Sequence, residues 1–198
     1  MSRAQLLELD VEFKGANLGP RTQRMDTRKS ISAADPDWDR ERPHRWWDPG
    51  AQLLKAIRGY QRWKKRGVFG RFVSKFYVLK HRFWSVVTGA DIPLNCNLGG
   101  GLQLPHPNGI VIHPDVVVGP NCLIFQQVTL GCGGTIPGQP ILRGHVDIGA
   151  GAKLLGGIVV GAHAHIGANS VVLIDVPAGA TAVGIPARII DKPDDHSL

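Results

Sequence analysis

The sequence predicts a mainly β protein: a parallel β-helix of about five coils over residues 91–190, with a short α-helical cap on its N-terminal side. Two observations carry this. Leu142, Ile148, Leu154, Val160, Ile166 and Val172 are aliphatic residues at unbroken six-residue spacing, and Ile112, Val118, Ile124 and Leu130, then Ile92, Leu98 and Leu104, form two further runs. A glycine directly follows Leu98, Val118, Leu130, Ile148, Val160 and Ile166. In an α-helix every sixth residue turns through about 240°, so no face collects this period. Strand alternation fails as well, because polar and apolar positions do not simply swap. A triangular coil of three six-residue sides accounts for it: one aliphatic residue per side points inward, and Gly or Asn relieves each bend. Neighbouring coils then bury one another's aliphatic stacks.

Residues 1–48 are polar and mixed in charge without a sustained period, the pattern of an N-terminal extension. The segment ADPDWDRERPHR within it is expected as a loosely attached loop, and Trp46 and Trp47 are expected to dock its end on the body, since exposed indoles are costly. Residues 49–90 form the cap. Leu53, Leu54, Ile57 and Tyr60 follow helical 3–4 spacing, as do Phe69, Phe72, Val73, Phe76, Phe83 and Val87 with one gap, and Gly67 and Gly70 are expected to separate two helices. Between Pro49 and Ala90 there are ten Lys or Arg and no Asp or Glu. Two uses of this cap stay open: an apolar side packed on the next domain with its charges solvated, or a basic amphipathic surface for a membrane or acidic partner. Residues 91–190 are the β-helix, and 191–198 a C-terminal tail.

The hexapeptide period breaks twice. Two extra residues stand between Leu104 and Ile112, and GCGGTIPGQPI lies between Leu130 and Leu142 as a protruding loop. On a solenoid such interruptions are where function is usually placed.

Composition bounds the rest. Hydrophobic residues are 43% of the 198, enough for a packed core; Gly, at 25, is rich enough for many tight turns and far below the one third of collagen. The three cysteines fit no metal-ligand spacing. MSRAQLLELDVEFKG lacks the apolar run of a secretory signal, and no stretch reaches a membrane span, so a reducing, cytoplasmic setting is expected. Net charge is +7, but no nucleic-acid reader motif accompanies it and no nucleic-acid partner is expected.

Asp91–Ile190 resembles serine O-acetyltransferase and its hexapeptide-repeat relatives, carried by DIPLNCNLGGGLQLPHPNGIVI, CLIFQQVTLG, HVDIGAGAKLLGGIVVGAHAHIGANSVVL and AVGIPARII. The resemblance implies a left-handed β-helix, a homotrimer with active sites in clefts between subunits, and acetyl-CoA lying along the coil. It implies that His106 is the catalytic base that deprotonates an acceptor hydroxyl for direct attack on the thioester, and that Asp91 orients His106. It places the pantetheine arm against Ala150, Gly151 and Ala168, with Lys153 and Arg188 as phosphate partners. No metal is implied. The chemistry suits such a pair, since neutral imidazole is basic at cell pH and a carboxylate on its other nitrogen fixes the tautomer. Backbone N–H groups around Gly131, Gly133 and Gly134 are candidate donors to the thioester oxygen, because glycine allows close approach.

The sequence departs from the family at the acceptor. Pro105 stands where the family has an Asp just before its histidine. Gly138 and Gln139 precede Pro140 where the family has an Arg-His pair, so Gln139 is the residue left to meet the substrate. The tail ends Ser197-Leu198 rather than in the isoleucine by which the family docks cysteine synthase, which argues against that partner. L-serine and a sugar hydroxyl on an exopolysaccharide or nucleotide-sugar precursor are therefore the two acceptors to weigh, and a non-catalytic β-helix scaffold is the alternative outside enzymology. His163 and His165 are expected on one side of a strand as surface or packing residues, with zinc the minor alternative, and His113 and His145 as turn residues.

Overall fold

The computed structural model describes residues 31–43 and 45–190; the N-terminal part of the expected extension and the 191–198 tail lie outside them. Helix α1 spans Pro49–Trp63 and α2 Gly67–Thr88. Thirteen strands follow, β1 (Asn97–Leu98) to β13 (Ala187–Ile190), most of them two residues long. They form three sheets of a left-handed parallel β-helix. The first sheet runs β1, β3 (Val117–Val118), β6 (Ile141–Leu142), β9 (Val159–Val160). The second runs β4 (Leu123–Ile124), β7 (Asp147–Ile148), β10 (His165–Ile166), β12 (Thr181–Gly184), with β13 antiparallel at its edge. The third runs β2 (Val111–Ile112), β5 (Thr129–Gly131), β8 (Lys153–Leu155), β11 (Val171–Val172).

The register carries the hexapeptide ladder directly. Val111 pairs with Thr129 and Val159 with Ile141, eighteen residues apart, one triangular coil. Asn97 pairs with Val117, twenty residues on, because the turn around His106 is longer by two; Val117 pairs with Ile141, twenty-four on, because the 132–140 loop protrudes. The predicted aliphatic residues all lie in the core. A second inward ladder sits two residues before each of them, Cys96, Leu102, Cys122 and Val146 among its members.

The glycines work differently from the expectation. Those after the inward residue keep ordinary φ, and what they permit is contact between coils: a Cβ on Gly99 would lie 2.4 Å from the Gly119 carbonyl carbon. The left-handed positions come later in each turn, at Gly101, Asn121, His145, His163 and Gly179 on one edge and Gly109, Gln127, Gly151 and Asn169 on another.

Asp48 caps α1 by accepting from Ala51 N, with Pro49 in its first turn. Leu53, Leu54 and Ile57 join the core of the first coil, and Gly50 lies so close that a Cβ would meet Leu104 O at 2.2 Å. Arg58 donates to both Glu41 carboxylate oxygens and to the Leu98 and Gly99 carbonyls.

Four expectations are corrected here. The break between helices falls at Lys64–Arg66; Gly70 lies inside α2, buried where a Cβ would meet Trp63 O. The apolar stripe of α2 faces outward: Phe69, Phe72, Phe76, Phe83 and Val87 are exposed. The packed face is Gly70, Ser74, Tyr77, His81, Trp84 and Thr88, with Tyr77 against Gly59 and His81 Nε2 2.8 Å from Ile92 O. Small and hydrogen-bonding residues let the helices approach closely, a preference that an apolar count overlooks. The segment expected as a loose loop is instead a strap on the β-helix. It contains a 3-10 helix, Trp38–Glu41. Buried Asn121 accepts from Asp37 N and donates to Ser32 O and Asp35 O, and Arg40 donates to Gly101 O. Trp47 packs on Trp84, but Trp46 is 84% exposed and docks on nothing larger than Trp47.

Candidate active site

The edge between the second and third sheets gathers most of the predicted site. The turn Pro105–Gly109 bulges from the first coil there, and its two extra residues push His106 out of the wall, so the ring is exposed. Two clamps hold the turn. Gln127 donates from its backbone N to Asn108 O and from Nε2 to Asn108 Oδ1, and Gly109 N donates to Gly89 O. On the next coil, Phe125 stacks on His106 with ring centroids 6.4 Å apart and planes at 30°. Asp91 opens the same edge, since it bridges to Val111 just after the bulge. Among the described residues no hydrogen bond or ion pair joins Asp91 to His106.

From His106 the edge runs upward past Phe125 and Gln127 into a column of small residues. Ala150 and Ala168 occupy successive turns, linked by Asn169 N donating to Ala150 O, and Gly151 beside them has φ +76°. Gly149 could not carry a side chain, because a Cβ would lie 2.6 Å from Ala168 N. The column therefore presents a flat backbone wall to an extended ligand arm. Lys153 flanks it, its ammonium donating to Gln127 O and Thr129 Oγ1. Arg188 is exposed on β13, opposite Val183 near the far end of the column.

Gly133 and Gln139 do not join this group within one chain. The 132–140 loop leaves the edge between the third and first sheets and folds over the next coil, where Gly156 N donates to Gly131 O and Gly157 N to Ile136 O. The expected oxyanion donors around Gly131, Gly133 and Gly134 are thus on a different edge from His106.

Sequence reasoning missed three contributors. Phe125, Asn108 and Gln127 hold the His106 turn, although Gln127 is a non-glycine in the left-handed region and gave no signal in composition. A crevice of about 140 Å³ opens beside Pro105, between Leu102–Leu104 and the strap residues Arg40, Glu41 and Arg42. Its walls come from segments some sixty residues apart.

Three other histidines, His145, His163 and His165, gather at or beside the edge between the first and second sheets. His163 and His165 both face outward with Ala164 buried between them, but His163 sits in a left-handed turn rather than the strand. Its Nδ1 lies 2.7 Å from His145 Nδ1 one coil below, and His165 faces Asp147 at 3.5 Å. Burial, with smaller contributions from His163 and Arg40, pushes the His145 pKa down, against the pull of Asp147. His113 is a turn residue as expected, its Nδ1 accepting from Asp115 N.

No family model matches the sequence. Over 120 residues the chain is 46% identical to the serine acetyltransferase of Synechococcus elongatus, covering 57% of this chain and 49% of that one. Over 146 residues it is 39% identical to the serine acetyltransferase of Helicobacter pylori, covering 73% of this chain and 82% of the relative. The chain belongs to the serine acetyltransferase family. Among solved structures, the family member from Brucella abortus in complex with coenzyme A superposes with a TM-score of 0.61 at 36% identity, over 73% of this chain and 56% of that one. The chain spans about half the length of most curated relatives it matches. Among the described residues no helix is long and apolar enough to cross a membrane.

Proposed function

We propose that this chain transfers the acetyl group of acetyl-CoA to the hydroxyl of L-serine, with His106 as general base. The observation that carries this is the exposed imidazole at the foot of a small-residue column on one β-helix edge, in a member of the serine acetyltransferase family. The acceptor hydroxyl approaches His106, which takes its proton as the oxygen attacks the thioester carbonyl carbon. The C–S bond then breaks, and the leaving thiolate receives the proton from the imidazolium, so the base is restored. General-base assistance of this kind contributes about 10²–10⁴-fold in rate. The pantetheine arm lies along Ala150, Gly151 and Ala168, with its phosphates towards Lys153 and Arg188. Asp91, which opens the same edge, is the group proposed to orient the imidazole.

The working unit is a homotrimer in the cytoplasm. A neighbouring subunit's 132–140 loop then faces His106, and Gly133 and Gln139 meet the acyl group and the acceptor there. The family's loop cation is absent, and Arg42, which lines the crevice beside Pro105 and pairs with the Asp39 carboxylate at 3.0 Å, is proposed to exchange that partner for the acceptor carboxylate.

A second acceptor, a sugar hydroxyl, is favoured by one observation: Pro105, Gly138 and Gln139 carry no charge where an amino acid would be gripped. Thiol release from acetyl-CoA in the presence of L-serine, set against a panel of sugars and nucleotide sugars, separates the two. The expected result is serine-dependent release that His106→Ala lowers at least about a hundredfold while coenzyme A binding persists. Release with a sugar alone transfers the assignment to that acceptor, and full activity in His106→Ala removes the mechanism.

A further inference from the structure

Helix α2 carries an apolar seam that nothing in the described structure covers. Phe69, Phe72, Phe76, Leu79, Phe83 and Val86 follow strict 3–4 spacing, and each is between 54% and 84% exposed. At its end the seam runs on through aromatic contacts, from Phe83 to Trp84, Trp47 and Trp46, where Trp46 is open to solvent. So large a contiguous apolar face on a soluble surface marks a contact site.

Charge selects the occupant. Lys75 and Arg82 stand along one border of the seam and Lys80 along the other, with Lys80 Nζ 5.4 Å over the Phe76 ring, its stem on the apolar face and its charge at the rim. No acidic residue interrupts the helix. If a second copy paired through the seam as a coiled coil, these residues would fall at the flanking positions where opposite charges are needed, and like charges would meet. An anionic bilayer satisfies both features. Phenyl and indole rings enter the headgroup boundary while Lys and Arg at the rim meet lipid phosphates. The helix is too polar to span the membrane, which leaves it lying in the interface plane.

We propose that α2 is a membrane-surface helix that seats this protein on anionic lipid through the Phe69–Val86 seam. The contact is independent of the acetyl transfer reaction, so the two are tested separately.

The test is co-sedimentation of the full-length protein with vesicles of phosphatidylcholine alone and vesicles containing phosphatidylglycerol. Binding is expected only to the second, falling as salt rises. Phe72→Glu and Phe76→Glu together are expected to abolish it. Lys75→Gln, Lys80→Gln and Arg82→Gln are each expected to weaken it about fivefold, with the circular dichroism spectrum unchanged. The charge variants sit on the solvent rim, so they remain informative even if a Glu variant misfolds. Equal binding to both vesicle types, or none to either, overturns the proposal. So does an assembly that doubles in mass with concentration and is halved by Phe76→Glu, because the seam would then be covered by a second copy.

Discussion

Cys96 and Cys122 are buried rungs of the inner ladder, and each thiol is pushed up to about 11, first by burial; Asp91 adds to the effect at Cys96 and Asp147 at Cys122. Cys132 is exposed on the protruding loop. A thiolate is the reactive species, so a disulfide reagent is expected to label one thiol quickly in the native protein and all three in denaturant. His145 gives a second test. Its folded-state pKa lies below 6.5, so between that lower value and 6.5 the unfolded chain binds more protons than the folded one. The resulting stability is fully present above 6.5 and is lost as pH falls through the folded value. Melting temperature measured across this window should drop more steeply in the parent protein than in His145→Asn. Asparagine suits the site because Asn121 holds the same left-handed turn one coil below, at φ 61°.

The strap shows how much an irregular element depends on a few donors. Asn121 is fully buried at φ 61° and makes three hydrogen bonds to the strap backbone. Asn121→Ala removes all three and puts a less tolerant residue at positive φ, at an expected cost of about 3 kcal/mol. The accompanying sign is faster tryptic cleavage after Arg40. Arg58→Met is expected to cost a similar amount, about 3 kcal/mol, because it leaves the largely buried Glu41 carboxylate without its cation. Thermal unfolding of both variants checks this. A shift within error of the parent would mean that the strap rests on the coil without adding to its stability.

For the whole molecule, the consequential fact is that His106 and the 132–140 loop lie on different edges of the triangular coil. On the assignment proposed above, the base and the loop donors for acyl transfer are thus divided between two edges. Under the trimeric arrangement proposed, His106→Ala and a chain whose loop residues 132–138 are deleted should each be nearly inactive. Mixed trimers formed by co-expression should regain part of the parental turnover, since some clefts then pair an intact histidine with an intact loop. Turnover in the mixture no higher than in the separate variants would place each site within a single chain.

The six-residue aliphatic period determined the solenoid by itself, because inward ladder, coil length and breaks in register are all linear in the chain. The same arithmetic put the two extra residues at His106 and the loop after Gly131 where the structure has them, and the roles proposed for His106, Asp91, Ala150 and Ala168 come from the matching motif segments. Only the tertiary structure decided the rest. The hydrophobic stripe of α2 was legible, but periodicity says which residues share a face and not what lies against it; close approach at Gly59 and Gly70 turned that face outward. Polar residues 31–43 carried no period, yet one buried asparagine and one arginine bind them to the coil. Which edge each site residue occupies depends on where a chain folded in threes turns its corners, and that closure is a property of the stacked coils rather than of any local segment.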